Sequence, residues 1–245
     1  MGDSDQAKEK LESKRSSRRD KPVKPHSKSL AKNAFYRVIR LTSRIVSVFV
    51  FDFRAFGRHH TLVDGGALIL SSHQSHFDPV LIGATFNEQL NYLARRSLFN
   101  NRLFGALISM LDAIELDRDR SGLAGLKETI RRVRSGKKVL IFPEGTRTSD
   151  GFIAELKPGF LAVARRCKVP LIPVAITGAY DALPKGASFP LRHPMRVAVG
   201  KAIEVEEFSD LDDEAMLELV KSRLDECYNT AQSTRDYCRS GARGR

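Results

Sequence analysis

A chain of 245 residues suffices for one sizeable α/β domain with short appendages, and two full domains would be cramped. Its net charge of +12 is unevenly placed: residues 1–60 hold fifteen Lys and Arg against six Asp and Glu, a net +9. Cys167, Cys227 and Cys238 are odd in number and lack CxxC spacing, which disfavours a disulfide framework or a cysteine-based metal site and fits a reducing compartment.

Residues 1–30 are polar, rich in Ser, Lys and Arg, and nearly devoid of large apolar side chains, so they are expected to form a disordered basic arm. They also lack the apolar centre of a secretory signal. Clustered cations suit nucleic acid or an anionic bilayer surface equally, or serve solubility alone.

Across residues 31–56 the pattern becomes helical, with Phe35, Val38, Ile39, Thr42, Ile45, Val46, Phe49 and Phe53 on one side. Arg37, Arg40, Arg44, Ser47 and Arg54 fall on the other. Such a helix either lies in a membrane interface, apolar groups in the acyl boundary and arginines among phosphates, or packs on the domain core. Ile45–Phe51, the longest charge-free apolar stretch near the N-terminus, is far short of the roughly 20 residues that a spanning helix needs.

Residues 57–232 read as the α/β domain. Ala67–Ser71 is a buried strand; Asp78 and Pro79 then open a helix, Asp78 in the N-cap role and Pro79 in its first turn. Strands are expected near 91–94, 113–116, 138–142, 171–176 and 196–199. Between them, 103–111, 123–135 (closed by Gly136), 157–166 and 214–228 have helical spacing. This alternation predicts a mixed, mostly parallel sheet flanked by helices. The tail 233–245 is expected to be disordered.

Two blocks carry chemistry. His73-Gln74-Ser75-His76-Phe77-Asp78 sets an imidazole and a carboxylate five positions apart across a strand end and a helix start. A carboxylate on Nδ1–H fixes the tautomer and leaves Nε2 to take a proton from an alcohol, with no enzyme nucleophile required. Read singly, Asp78 is equally explained as a helix cap, and His73 with His76 lacks a third metal ligand nearby. Phe142-Pro143-Glu144-Gly145-Thr146-Arg147-Thr148 follows a strand and offers hydroxyls, a close-approach glycine and a guanidinium, a set suited to a phosphate monoester. It lacks the Walker A spacing.

In order, strand, His-x4-Asp, then about 65 residues later strand and Phe-Pro-Glu-Gly-Thr-Arg-Thr, the chain resembles the 1-acyl-glycerol-3-phosphate (lysophosphatidic acid) acyltransferase family of the glycerolipid acyltransferase superfamily, over roughly residues 33–205. Ala113-Ile114-Glu115-Leu116-Asp117-Arg118 and Val169-Pro170-Leu171-Ile172-Pro173-Val174-Ala175 resemble two further blocks of that family. The resemblance implies His73 as the base on the acceptor hydroxyl and Asp78 as its orienting partner. It implies Glu144, Gly145, Thr146 and Arg147 as acceptor-binding residues, Arg147 on the phosphate, with Arg118 and Lys157 as further cations.

It implies neither cofactor nor metal, a donor that is acyl-CoA or acyl carrier protein, a lysolipid acceptor such as lysophosphatidic acid, and a peripheral place on the cytoplasmic face of a membrane with an anionic surface. Nucleic acid is not an expected partner. Ser72 replaces a common Asn, Glu115 stands where an apolar residue or Pro is usual, and Arg95-Arg96-Ser97 replaces a Lys-containing stretch. These departures keep open an acyltransferase for another lysolipid, ornithine-type or lysophospholipid. A non-catalytic membrane- or nucleic-acid-binding protein is the remoter alternative.

Overall fold

The computed structural model describes residues 30–95, 114–116, 123–184, 186–187 and 189–242. The basic arm, save Leu30, and the expected helix at 103–111 lie outside the described residues. Seven strands, β1 (Arg54–Phe56), β2 (Ala67–Ser71), β3 (Asn91–Arg95), β4 (Ile114–Leu116), β5 (Lys138–Ile141), β6 (Leu171–Thr177) and β7 (Arg196–Val199), form one sheet in the order β1-β7-β6-β2-β5-β3-β4. The run from β6 to β4 is parallel throughout; β7 is antiparallel to β6, and β1 follows β7.

Central β2 is apolar at every position from Ala67 to Leu70 because both of its faces are covered. Its alternate residues divide between two cores. Ala67 and Ile69 pack with Phe51, Phe53, Leu81, Ile82, Phe86 and Ile172, beneath α1 (Leu30–Phe51) and α2 (Asp78–Thr85). Leu68 and Leu70 pack with Val133, Phe160, Val163, Met216, Val220 and Leu224, which belong to the helical layer on the other face. That layer holds α3 (Leu123–Arg134), α4 (Leu161–Cys167) after a 3-10 turn at Pro158–Phe160, and the long C-terminal helix Asp213–Ala242. Two short helices, α5 (Ala179–Ala182) and α6 (Val205–Phe208), complete the chain order, so the C-terminal helix is α7.

Three expectations change. The N-terminal helix stops at Phe51, where Asp52 turns the chain with φ 42°, so Phe53 enters the core and Arg54 begins β1. Lys157 precedes its helix in extended conformation and does not open it. The tail from Ser233 is not disordered up to Ala242: α7 continues through it, and buried Arg235 binds the Asp181 carboxylate on α5.

The connections place the site. From β2 the chain crosses through α2 on one face, and from β5 it crosses through α4 on the other, so the carboxyl ends of these adjacent strands flank a crevice. Ligands of open parallel sheets bind at such a divergence.

The junction of α1 with the sheet is fixed by charge. Fully buried Arg196 on β7 donates to the backbone oxygen of Asp52 and, at 2.6 Å, to its carboxylate Oδ2. Although burial pushes the Asp52 carboxyl up, the hydrogen bond and charge of Arg196, with those of Arg54, together outweigh it and hold the group below its ordinary value. Asp52→Ala should therefore lower stability at pH 7 by about 2 kcal/mol, less than for a wholly enclosed pair because the carboxylate is half-exposed. A depressed carboxyl stabilises above its unfolded pKa and loses that contribution as pH falls through its folded pKa. Denaturant melts should accordingly show the gap between wild type and variant closing below the ordinary carboxylate range.

Candidate active site

Both ends of the His73 peptide unit and its ring are tied down. The His73 N–H donates to Glu144 Oε1 at 2.8 Å, and its carbonyl accepts from Thr148 N–H at 2.8 Å. Its Nδ1 lies 2.8 Å from Asp78 Oδ2, and its ring stacks on Phe142 with centroids 3.9 Å apart and planes inclined by 17°. Since Asp78 Oδ2 also accepts the backbone N–H groups of Gln74 (2.6 Å) and Ser75 (2.8 Å), it is an acceptor throughout, so Nδ1 carries the proton. In the neutral ring this leaves Nε2 with the lone pair, as a general base requires.

The two explanations of Asp78 are now separable. Its carboxylate turns back onto the loop and makes no capping bond to α2, so the N-cap role is not the one it fills. The residue is wholly buried; Oδ2 carries three bonds while Oδ1 has no partner among the described residues. Burial pushes the carboxyl above its ordinary value, against the pull of His73 and the two N–H groups.

Glu144, expected among the acceptor-binding residues, points inward onto backbone. It is buried, with Oε1 on His73 N–H and Oε2 on Ala154 N–H at 3.0 Å, which commits both oxygens to backbone. Its carboxyl too is raised, chiefly by burial. Thr148 is likewise inward, its hydroxyl bound to Asp150 Oδ1 at 2.8 Å.

The outward members of the block are exposed Thr146 and half-buried Arg147, set off by Gly145 at φ 70°. A Cβ on Gly145 would stand 3.3 Å from Lys157 Cδ and 3.5 Å from its Nζ, so the lysine lies along the turn. Partial burial, and next the Arg147 charge, hold the His76 imidazole below its ordinary value, which sets that guanidinium near the loop bearing His73 and His76. Arg118 lies outside the described residues.

Gln74 escaped the sequence reading. Its buried amide donates to Gly151 O at 2.5 Å and accepts from Tyr180 N–H at 3.2 Å, joining the loop after β2 to the turn after β5 and to α5. The available signal was its position between the two reactive groups. Ser72, the departure from the common Asn, braces through its hydroxyl, which accepts Ile176 N–H from β6 at 3.1 Å.

Beside the stacked Phe142 is a cavity of about 230 Å³, lined largely by apolar side chains including Leu93, Leu126, Ile141, Phe160 and Val163, with Gly145 and Lys157 among its wall residues. No three His, Cys, Asp or Glu side chains among the described residues cluster to hold a metal. Burial pushes the Cys227 thiol up to about 12, leaving it inert.

An imidazole oriented by a buried carboxylate at a strand-end crevice, with cations on the adjoining loop, is an arrangement suited to group transfer onto a hydroxyl. Residues 53–177 match the family model described as Acyltransferase, and the chain belongs to that family. It is 28% identical over 181 residues to the 1-acyl-sn-glycerol-3-phosphate acyltransferase of Bacillus subtilis, covering 72% of this chain and 88% of that protein. The enzyme of the same name from Pseudomonas aeruginosa is 32% identical over 144 residues, 57% of this chain and 54% of its own. The crystal structure of the 1-acyl-sn-glycerophosphate acyltransferase PlsC from Thermotoga maritima shares the fold, with a TM-score of 0.71 at 23% identity, covering 82% of this chain and 81% of that one.

Glu144→Gln separates bracing from binding. The amide sets an N–H against one of two backbone N–H groups, so melting should show a loss of about 1–3 kcal/mol. If Glu144 positions His73, kcat should fall while KM for the acceptor changes little; a rise in KM alone would return Glu144 to the binding residues.

Proposed function

We propose that this enzyme moves a fatty acyl group from an acyl thioester, carried on CoA or acyl carrier protein, to the sn-2 hydroxyl of 1-acyl-glycerol-3-phosphate, yielding phosphatidic acid. The observation that carries the reading is the 2.8 Å contact of His73 Nδ1 with buried Asp78, which leaves Nε2 as base beside the loop bearing Arg147. The names of the curated relatives support the choice of acceptor.

In this mechanism the acceptor hydroxyl gives its proton to His73 Nε2 as its oxygen attacks the thioester carbonyl. The imidazolium that forms is stabilised by Asp78. Collapse of the tetrahedral intermediate breaks the carbon–sulfur bond, and the imidazolium returns the proton to the departing thiolate. Ester and thiol are the products, and no bond to the enzyme forms. Arg147 and Lys157 hold the acceptor phosphate, Arg147 through paired N–H donors. The cavity beside Phe142 lodges part of an acyl chain.

The enzyme works as a peripheral protein on the cytoplasmic face of a membrane. No described helix is long and apolar enough to cross one. On α1, however, Val38, Leu41, Ile45, Val48 and Phe49 are exposed together, Phe49 at 75%. A continuous apolar stripe left uncovered on a helix suits the acyl boundary of an anionic bilayer.

With acyl-CoA and lysophosphatidic acid, His73→Ala should abolish thiol release, and its persistence at the wild-type rate would refute the mechanism. Arg147→Gln should raise KM for lysophosphatidic acid about tenfold or more, the loss of a charge-assisted pair, with a smaller fall in kcat. For the membrane contact, Phe49→Asp should reduce flotation with anionic vesicles severalfold or more, since a large ring leaves the acyl boundary and a charge enters it.

A further inference from the structure

The helix with the exposed apolar stripe is also attached, by polar bonds, to the far end of the helix that begins at Asp78. Helix α1 runs antiparallel along α2: Arg40 and Arg44 meet the C-terminal end of α2, whereas Phe51 meets Phe77, next to Asp78, with ring centroids 5.5 Å apart. Arg44 Nε donates to Ala84 O at 2.5 Å, Arg40 Nη1 to Phe86 O at 3.4 Å and to Asn87 O, and Arg58 Nε to Thr85 O at 3.2 Å. Arg44 and Arg58 converge further on Asn87 Oδ1, at 3.5 and 3.2 Å.

The last carbonyls of a helix lack intrahelical donors and carry the negative end of its dipole. Three guanidiniums on four successive carbonyls therefore cap α2. Helix α2 is only eight residues long and has Asp78 as its first residue. Its N-terminal end is held by the bonds of Asp78 to the His73 loop, its body by the Phe51–Phe77 contact and the underlying sheet, and its C-terminal end by this cap.

We propose that Arg40 and Arg44 are positioning residues for the reaction: through α2, they hold the Asp78 carboxylate on His73 Nδ1, so that α1 is part of the catalytic scaffold as well as a membrane contact. This rests on His73 and Asp78 being the reacting pair. An α1 that merely anchors the enzyme would influence access to lipid and leave the chemistry of a water-dispersed substrate alone.

The test omits the membrane. Full-length protein is assayed with acyl-CoA and a short-chain lysophosphatidate kept monomeric, comparing wild type, His73→Ala, Arg40→Gln/Arg44→Gln, Arg44→Gln and Arg44→Lys. We expect the double variant to lose about tenfold or more in kcat with both KM values within about twofold, and Arg44→Lys to recover part of the loss that Arg44→Gln shows. Spectra of the protein carrying 15N-histidine should show the Nδ1–H tautomer of His73 giving way to the Nε2–H form in the double variant. Should that variant not fold, Arg44→Gln carries the same comparison with one carbonyl bond removed.

Wild-type kcat and an unchanged His73 tautomer in the folded glutamine variants would overturn the proposal and leave α1 as an anchor. Activity surviving in His73→Ala would instead overturn the reaction mechanism on which it stands.

Discussion

The structure depends on adjacency of β2 and β5. Their parallel pairing, Ala67 to Lys138 through Leu70 to Ile141, delivers His73 and Glu144 to the same edge of the sheet at matching height. From there a carboxylate of one strand's loop accepts the N–H of the other, and Thr148 N–H returns a bond to His73 O. A base that is to accept a proton from a substrate must not be free to turn toward bulk water. Here the backbone on either side of the ring, the ring face and Nδ1 are all engaged, and only the reacting nitrogen is spared.

The same principle organises the charge. Carboxylates occupy the dry side of the site, where Asp78 and Glu144 are met by backbone N–H groups and one imidazole. Cations occupy the wet side, on the turn that Gly145 permits. In the proposed reaction, buried anions set the geometry of the base, and solvent-accessible cations are left for the acceptor phosphate. The separation avoids direct pairing of Arg147 with either carboxylate, which would consume the charge that a phosphate needs.

How much of this was legible in the sequence follows from how local each feature is. The strands of the core were readable because their apolar runs are continuous and bounded by Gly and Pro. His73 and Asp78 were readable because both lie on one loop, five positions apart. Glu144 was found as a site residue, but its bond to His73 was not readable, since strand order supplies that partner. Gln74 was missed for the same reason. On α1 the two stripes were visible, yet a helical pattern does not say which stripe faces inward. Arg40 and Arg44 turn inward here because the end of α2 offers them carbonyls, and the apolar stripe is left outside. Beyond Ser233 the sequence is too polar to signal a helix, and what holds it is the distant pairing of Arg235 with Asp181.

Buried Asp78 keeps one oxygen without a partner among the described residues. A buried charge left half-solvated opposes folding, and replacement by a neutral residue of the same shape relieves it. Directed evolution that rewards heat tolerance alone would therefore be drawn to this position and would tend to return sturdier proteins that no longer react. Any such selection must be coupled to turnover if the carboxylate is to survive it.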